Sequence, residues 1–284
     1  MKLLHLVCLG LSGLSLGSVA AGIAHDSVSG SLSSGSNSGL RHLTRSSTAQ
    51  CEPFNVTLSV SQGAAFSRLF VPTSPPDSYE LDLEGLKLFL DRPNGNIHTK
   101  GRVNDKVSEG ATINSTITLL HGKVTYTFSG PAVPGVVTAA ILIADEHDEI
   151  DVELVGGDPQ HWQTNVFAPA AQDKQPLYGV FGEIEDYAHA PKNVKETHSY
   201  TIDWNAERIQ WSVDGSVVRT LRKGDTKKNG ALHYPSHPAR LQLGIWDASA
   251  PAGTSEWAHG PIDWDKAPSR MSAVFERIQV ECPY

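Results

Sequence analysis

The stretch that most constrains this chain is the nearly all-apolar run Val136 to Ile143, followed closely by Asp148-Glu149-Ile150-Asp151-Val152-Glu153. An apolar run of that length fits a strand buried inside a β sandwich. The acidic segment then alternates, and alternate residues of an extended strand share a face. Glu149, Asp151 and Glu153 therefore look one way, and Ile150 and Val152 the other. Three like charges in a row repel, and each makes its neighbours harder to ionise. That cost points to chemistry on this strand.

The same period of two recurs along the chain. Strands are expected over Phe54–Val60, Tyr79–Leu90, Thr112–Leu120, Lys123–Phe128, His161–Phe167, Tyr200–Trp204, Arg208–Val213, Ser216–Arg222, Arg240–Trp246 and Ala273–Cys282. Asp214-Gly215 is a two-residue hairpin signature. No segment beyond the first two dozen residues sustains a helical period. About a dozen short strands divided by turns make an all-β sandwich or barrel, a class in which one domain reaches about 200–250 residues.

The N-terminus reads as a secretory signal peptide over residues 1–24, with Lys2, the apolar stretch Leu3 to Leu16, and small residues from Ala20 to Ala24. Its glycines and serines dilute it below the ~20 apolar residues of a membrane span. Residues 25–50, rich in serine and glycine, are expected as a disordered linker. Residues 51–284 are left as one domain. Cys8 lies in the signal, so Cys51 and Cys282 remain, either bridged in an oxidising compartment or unpaired. Asn55 and Asn114 head glycosylation sequons. A net charge of −8 argues against nucleic acid and against a polybasic membrane anchor. The expected product is a secreted protein with no membrane contact in its mature form.

Three readings compete for the acidic strand. It could be a solvated edge, which the apolar residues between the acids oppose. Asp145, Glu146 and Asp148 could hold a structural calcium ion, although calcium loops usually gather ligands from a glycine- and asparagine-rich turn. Finally, Glu149 and Glu153 could be the carboxyl pair of a retaining glycosidase, nucleophile and acid/base, with Asp151 between them to redistribute protons. Four residues of strand span about 13 Å between α-carbons, which two glutamates leaning together can close. Sugar rings pack on aromatic faces. Trp162, Trp246, Trp257 and Trp264 are candidates for that role, with Gln163 and Asn165 as hydrogen-bonding neighbours; Trp204 and Trp211 read as core. The twelve histidines are scattered without metal-ligand spacing.

Asp148-Glu149-Ile150-Asp151-Val152-Glu153-Leu154-Val155-Gly156 resembles the catalytic strand of glycoside hydrolase family 16. Gln163-Thr164-Asn165-Val166-Phe167, His198 to Trp204 with Arg208 to Gly215, and Gly253-Thr254-Ser255-Glu256-Trp257-Ala258-His259-Gly260 add likeness to the fungal Crh-type cell-wall transglycosylases. The resemblance covers roughly Gly122 to Trp264, and Ala168 to Tyr187 departs from it. It implies a β-jelly-roll sandwich of the lectin and glucanase type with a concave cleft. It also implies Glu149 as nucleophile, Asp151 as assisting carboxylate, Glu153 as acid/base, and Gln163, Asn165, Trp246, Glu256 and Trp257 at the sugar. No cofactor is implied. The expected partner is a polysaccharide, chitin or β-glucan, handled by a monomer, and the likeness implies the cell wall as its location. An endo-β-1,3(4)-glucanase and a lectin-like module without turnover are the alternatives.

Overall fold

The computed structural model describes residues 51–283. The signal-peptide and linker expectations lie outside the described residues. In chain order the strands are β1 (Phe54–Thr57), β2 (Phe70–Pro72), β3 (Tyr79–Leu81), β4 (Leu86–Asp91), β5 (Thr99–Lys100) and β6 (Val103–Asn104). Next come β7 (Ala111–Leu119), β8 (Gly122–Ser129), β9 (Val136–Ala144), β10 (Glu149–Val155), β11 (His161–Phe167) and β12 (Glu183–Asp186). The last are β13 (His198–Trp204), β14 (Arg208–Val213), β15 (Ser216–Arg222), β16 (Lys227–Lys228), β17 (Ala231–Leu232), β18 (Ala239–Asp247) and β19 (Arg270–Glu281). Two short helices, α1 (Gly63–Leu69) and α2 (Ala252–Trp257), interrupt them.

Fifteen of these strands build two antiparallel sheets. One runs β15-β14-β13-β8-β19-β4-β3, with β1 also on β19; the other runs β12-β11-β10-β9-β18-β7-β2. The sandwich follows from parity. On β8, Val124, Tyr126 and Phe128 are fully buried, and on β10 Ile150, Val152 and Leu154 join the same apolar core. The opposite faces of both sheets look away from that core.

Several sequence expectations changed on folding. Tyr79 to Leu90 is a hairpin, because Asp82 accepts the Glu84 and Gly85 amides at 2.8 and 3.0 Å and closes a turn. The first strand stops at Thr57, and a 3₁₀ turn over Val60–Gln62 leads into α1, whose Phe66 and Leu69 enter the core. Asp214 (φ 49°) and Gly215 (φ 81°) form the expected turn between β14 and β15. Both residues are left-handed, as a type I′ hairpin needs. A disulfide joins Cys51 to Cys282, 231 residues apart in sequence. It sits where the antiparallel pair β1–β19 begins and ends.

Candidate active site

β10 lies inside its sheet, between β9 and β11. The register sets Glu149, Asp151 and Glu153 opposite Phe167, Asn165 and Gln163 of β11, and opposite Ile143, Ile141 and Ala139 of β9. These side chains share the face turned away from the core. The three acids are nevertheless 6%, 4% and 9% exposed. A solvated edge is thereby ruled out.

Burial sets the electrostatics. Desolvation pushes all three carboxyls up from their ordinary values. For Glu149 a bond to Asp151 pulls down and the Glu153 charge pushes up. For Asp151 the Glu149 charge adds to the rise, while Asn165 and Arg219 favour the ionised form. Glu153 is raised further by Asp151. Glu149 Oε2, Asp151 Oδ1 and Asn165 Oδ1 are buried with no hydrogen-bond partner in the protein. Unpaired buried oxygens are costly, and these three gather on one patch.

Aromatic residues flank the row at both ends. Toward Glu153, Trp246 stacks on Trp257 at 5.9 Å and 19°, and Trp257 Nε1 donates to Gln163 Oε1 at 2.8 Å. Trp257 is held by α2 and by the left-handed His259 (φ 56°). A Cβ on Gly157 would come within 2.4 Å of the His259 Cβ, so glycine permits this contact. Toward Glu149, Phe167 stacks on Tyr178 at 4.8 Å. The row through Glu153 is otherwise small: Ala139 stands opposite it, and Gly244 opposite Ala139. A Cβ on Gly244 would make only an ordinary 3.5 Å contact. Its backbone does not require glycine, and two strands from Glu153 this row carries no side chain at all.

Of the residues expected at the sugar, Gln163, Asn165, Trp246 and Trp257 gather here. Glu256 is exposed on α2, and no hydrogen bond or ion pair ties its carboxylate to the row among the described residues. Trp162 and Trp264 are packed into the main apolar core between the sheets, so both are core residues rather than sugar platforms. Trp162 has the opposite parity to Gln163 and Asn165 on the same strand. Asp148 accepts from the Ser236 and His237 amides and from His237 Nδ1, at 2.6, 3.1 and 2.9 Å, and Asp145 pairs with Arg240. No group of three or more His, Cys, Asp or Glu is arranged to hold a metal among the described residues. Asn55 is exposed on β1. Asn114 lies on the site face of β7, its Oδ1 accepting from Gln242 at 2.9 Å.

Sequence reasoning missed Arg219. From β15 it reaches across to the underside of the site, donating to the Thr164 carbonyl and Oγ1 at 3.2 and 2.6 Å and to the Phe181 carbonyl at 2.5 Å. Its guanidinium lies 4.6 Å over Trp211, whose Nε1 donates to the Asp151 carbonyl at 3.0 Å. Only the packing of the two sheets brings these strands together. Phe167 was within reach of sequence reasoning, since it continues the alternation of Gln163 and Asn165.

Residues 73–266 match the sequence profile of Glycosyl hydrolases family 16. The chain belongs to that family. Among its relatives is the probable glycosidase CRR1 of Eremothecium gossypii, 37% identical over 191 residues, covering 63% of this chain and 40% of that one. The Crh-like protein 5 of Aspergillus fumigatus is 32% identical over 240 residues, covering 81% and 56%. The chain thus spans about half the length of the curated relatives it matches. A solved Crh5 transglycosylase in complex with NAG superposes with TM-score 0.64 at 26% identity, over 82% of this chain and 88% of that one. A Bacillus licheniformis β-glucanase shares the fold, with TM-score 0.62 at 16% identity over 81% and 98%. The family 16 sandwich is thus the architecture that carries the acidic row.

Proposed function

We propose that this chain is a secreted retaining glycosidase of family 16 that transfers sugar chains within cell-wall polysaccharide, with chitin or β-glucan as donor and acceptor. One observation carries this reading: three buried carboxyls stand in a row on the open face of a sheet, with unpaired oxygens and aromatic surfaces around them. A row with that desolvation cost is of use only to a bound ligand that takes up the unpaired atoms.

Glu153, kept protonated chiefly by burial, gives its proton to the glycosidic oxygen. The Glu149 carboxylate attacks the anomeric carbon, and the leaving sugar departs with the proton as a free hydroxyl. The product is a glycosyl ester on Glu149. Glu153, now a carboxylate, takes the proton of an incoming sugar hydroxyl, which displaces Glu149 and restores the anomeric configuration. Asp151, whose own carboxyl is raised by burial and by the Glu149 charge, takes up the proton that Glu149 must release before it attacks. Water in place of the sugar hydroxyl gives hydrolysis.

The likeness to Crh-type proteins supports transfer, and the likeness to the solved Crh5 transglycosylase, itself a complex with NAG, supports a chitin-type sugar. The test incubates the protein with chitin oligomers and a labelled laminarin oligosaccharide, beside Glu149→Gln and Glu153→Gln. Lengthened labelled products from the parent alone support transfer, and shortened products alone mean a glucanase or chitinase. No product, with sugar binding equal in all three proteins, means a lectin-like module and overturns the enzyme.

A further inference from the structure

Ala168 to Tyr187 is the segment where this chain departs from the Crh pattern, and its structure gives it a place at the site. Phe167, at the end of β11, is the register partner of Glu149. Tyr178 covers it, with ring centroids 4.8 Å apart and planes 28° apart, and is itself only partly buried. Further on, a Cβ on Gly182 would stand 3.5 Å from Asn165 Oδ1, so the segment returns along the carboxylate row beside Asp151's partner.

The segment is anchored at both ends. Asp173 accepts from His233 Nε2 at 2.8 Å, Asn229 Nδ2 at 3.1 Å and the Ala170 amide at 3.2 Å, and the His233 and Asp173 side chains are 1% and 7% exposed. The Phe181 carbonyl accepts from the buried Arg219. Tyr178 is therefore held on a fixed wall, with Ile184, 63% exposed and the register partner of Gln163, further along it.

We propose that Tyr178, seated on Phe167, is a stacking surface for a sugar ring of the donor chain on the glycone side of the cleaved bond. This rests on Glu149 as nucleophile and Glu153 as acid/base. The leaving sugar lies beside the acid that protonates it, which gives Gln163 and Trp257 to the aglycone and acceptor. The transferred ring sits on Glu149, and the units behind it extend toward Phe167 and Tyr178. An aromatic residue only partly buried presents the flat apolar surface on which the axial C–H face of a β-linked sugar packs.

Tyr178→Ala and Tyr178→Phe in the full chain test this, with donor and acceptor varied separately. Tyr178→Ala is expected to raise donor KM roughly 3- to 10-fold, with acceptor KM unchanged, and Tyr178→Phe to restore the parent value. Direct binding of chitin and laminarin oligomers of increasing length to Glu149→Gln, with and without Tyr178→Ala, reads the surface without turnover. The expected result is loss of the affinity gained with added glycone units. Binding that is the same with and without Tyr178→Ala, including no binding in either, overturns the proposal. So does a rise in acceptor KM alone. If the parent binds oligomers but turns none over, the enzyme reading fails, and loss of binding in Tyr178→Ala still supports the stacking surface.

Discussion

The two sheets of this sandwich treat their outward faces in opposite ways. On the larger sheet, the outward face of β8 and β13 carries hydroxyls that pair across the strands: Thr125 with Thr201 at 2.9 Å, Thr127 with Ser199 at 3.0 Å. On the smaller sheet, the corresponding positions of β10 are buried carboxyls, and Glu149 and Asp151 each carry an unpaired oxygen. The same period of two produced both faces. Polar groups that satisfy one another hold a surface together, and polar groups left unsatisfied mark the surface that a ligand completes.

The largest expected contrast is between the carboxyls and the hydroxyls. Glu149→Gln is expected to lower transfer about a million-fold, the scale of a lost nucleophile, and Glu153→Gln about 100- to 10,000-fold. Both variants should be more heat-stable than the parent at pH 7. The fold raises both glutamates, so it favours their neutral form. The stability they contribute is full below the unfolded carboxyl value, about 4.3, and is lost as pH rises through the folded value. Thermal melts at pH 7 and pH 4 check this, and the advantage of each amide should shrink at pH 4.

A second contrast concerns the floor of the smaller sheet. Gly244→Val adds a side chain to the row through Glu153, two strands away, at a position whose backbone accepts one. We expect kcat/KM to fall about 10- to 100-fold, while stability rises by up to about 1 kcal/mol, the usual effect of removing glycine from a strand interior. A loss of both together would mean that Gly244 serves the fold.

How much of this arrangement was legible from residues alone differs between strands. Phe167, Asn165 and Gln163 could be assigned to one face because alternation on β11 is strict, and the same parity should have removed Trp162 from the sugar candidates. Asp214-Gly215 announced its turn because only left-handed residues close it. Tyr178, Arg219 and the Asp173–His233 contact were out of reach, since each joins segments far apart in sequence and no local period records such meetings. The hairpin within Tyr79 to Leu90 was missed for a related reason: the Asp82 carboxylate makes the turn there without the usual asparagine-glycine signal.

The charges of the row provide a subtler test. Asp151 is one of the two causes that raise Glu153. Asp151→Asn should therefore move the alkaline limb of the kcat/KM profile down by about one pH unit, measured across pH 4 to 9 (roughly the range in which carboxyls so raised titrate). An unmoved limb would remove Asp151 from the proton balance. The smallest effect belongs to the other sheet. Thr125→Val with Thr201→Val removes both partners of a hydrogen bond, and stability should change by no more than about 1 kcal/mol with transfer unchanged. A large loss of activity there would break the distinction between the two faces.

The most direct measurement is to trap the glycosyl ester. The protein is incubated with a 2-deoxy-2-fluoro oligosaccharyl fluoride, digested, and its peptides weighed by mass spectrometry. The account predicts one added glycosyl unit on the peptide that contains Glu149, and none in Glu149→Gln. An adduct on Glu153 or elsewhere, or no adduct while the matching unfluorinated donor is turned over, would contradict it.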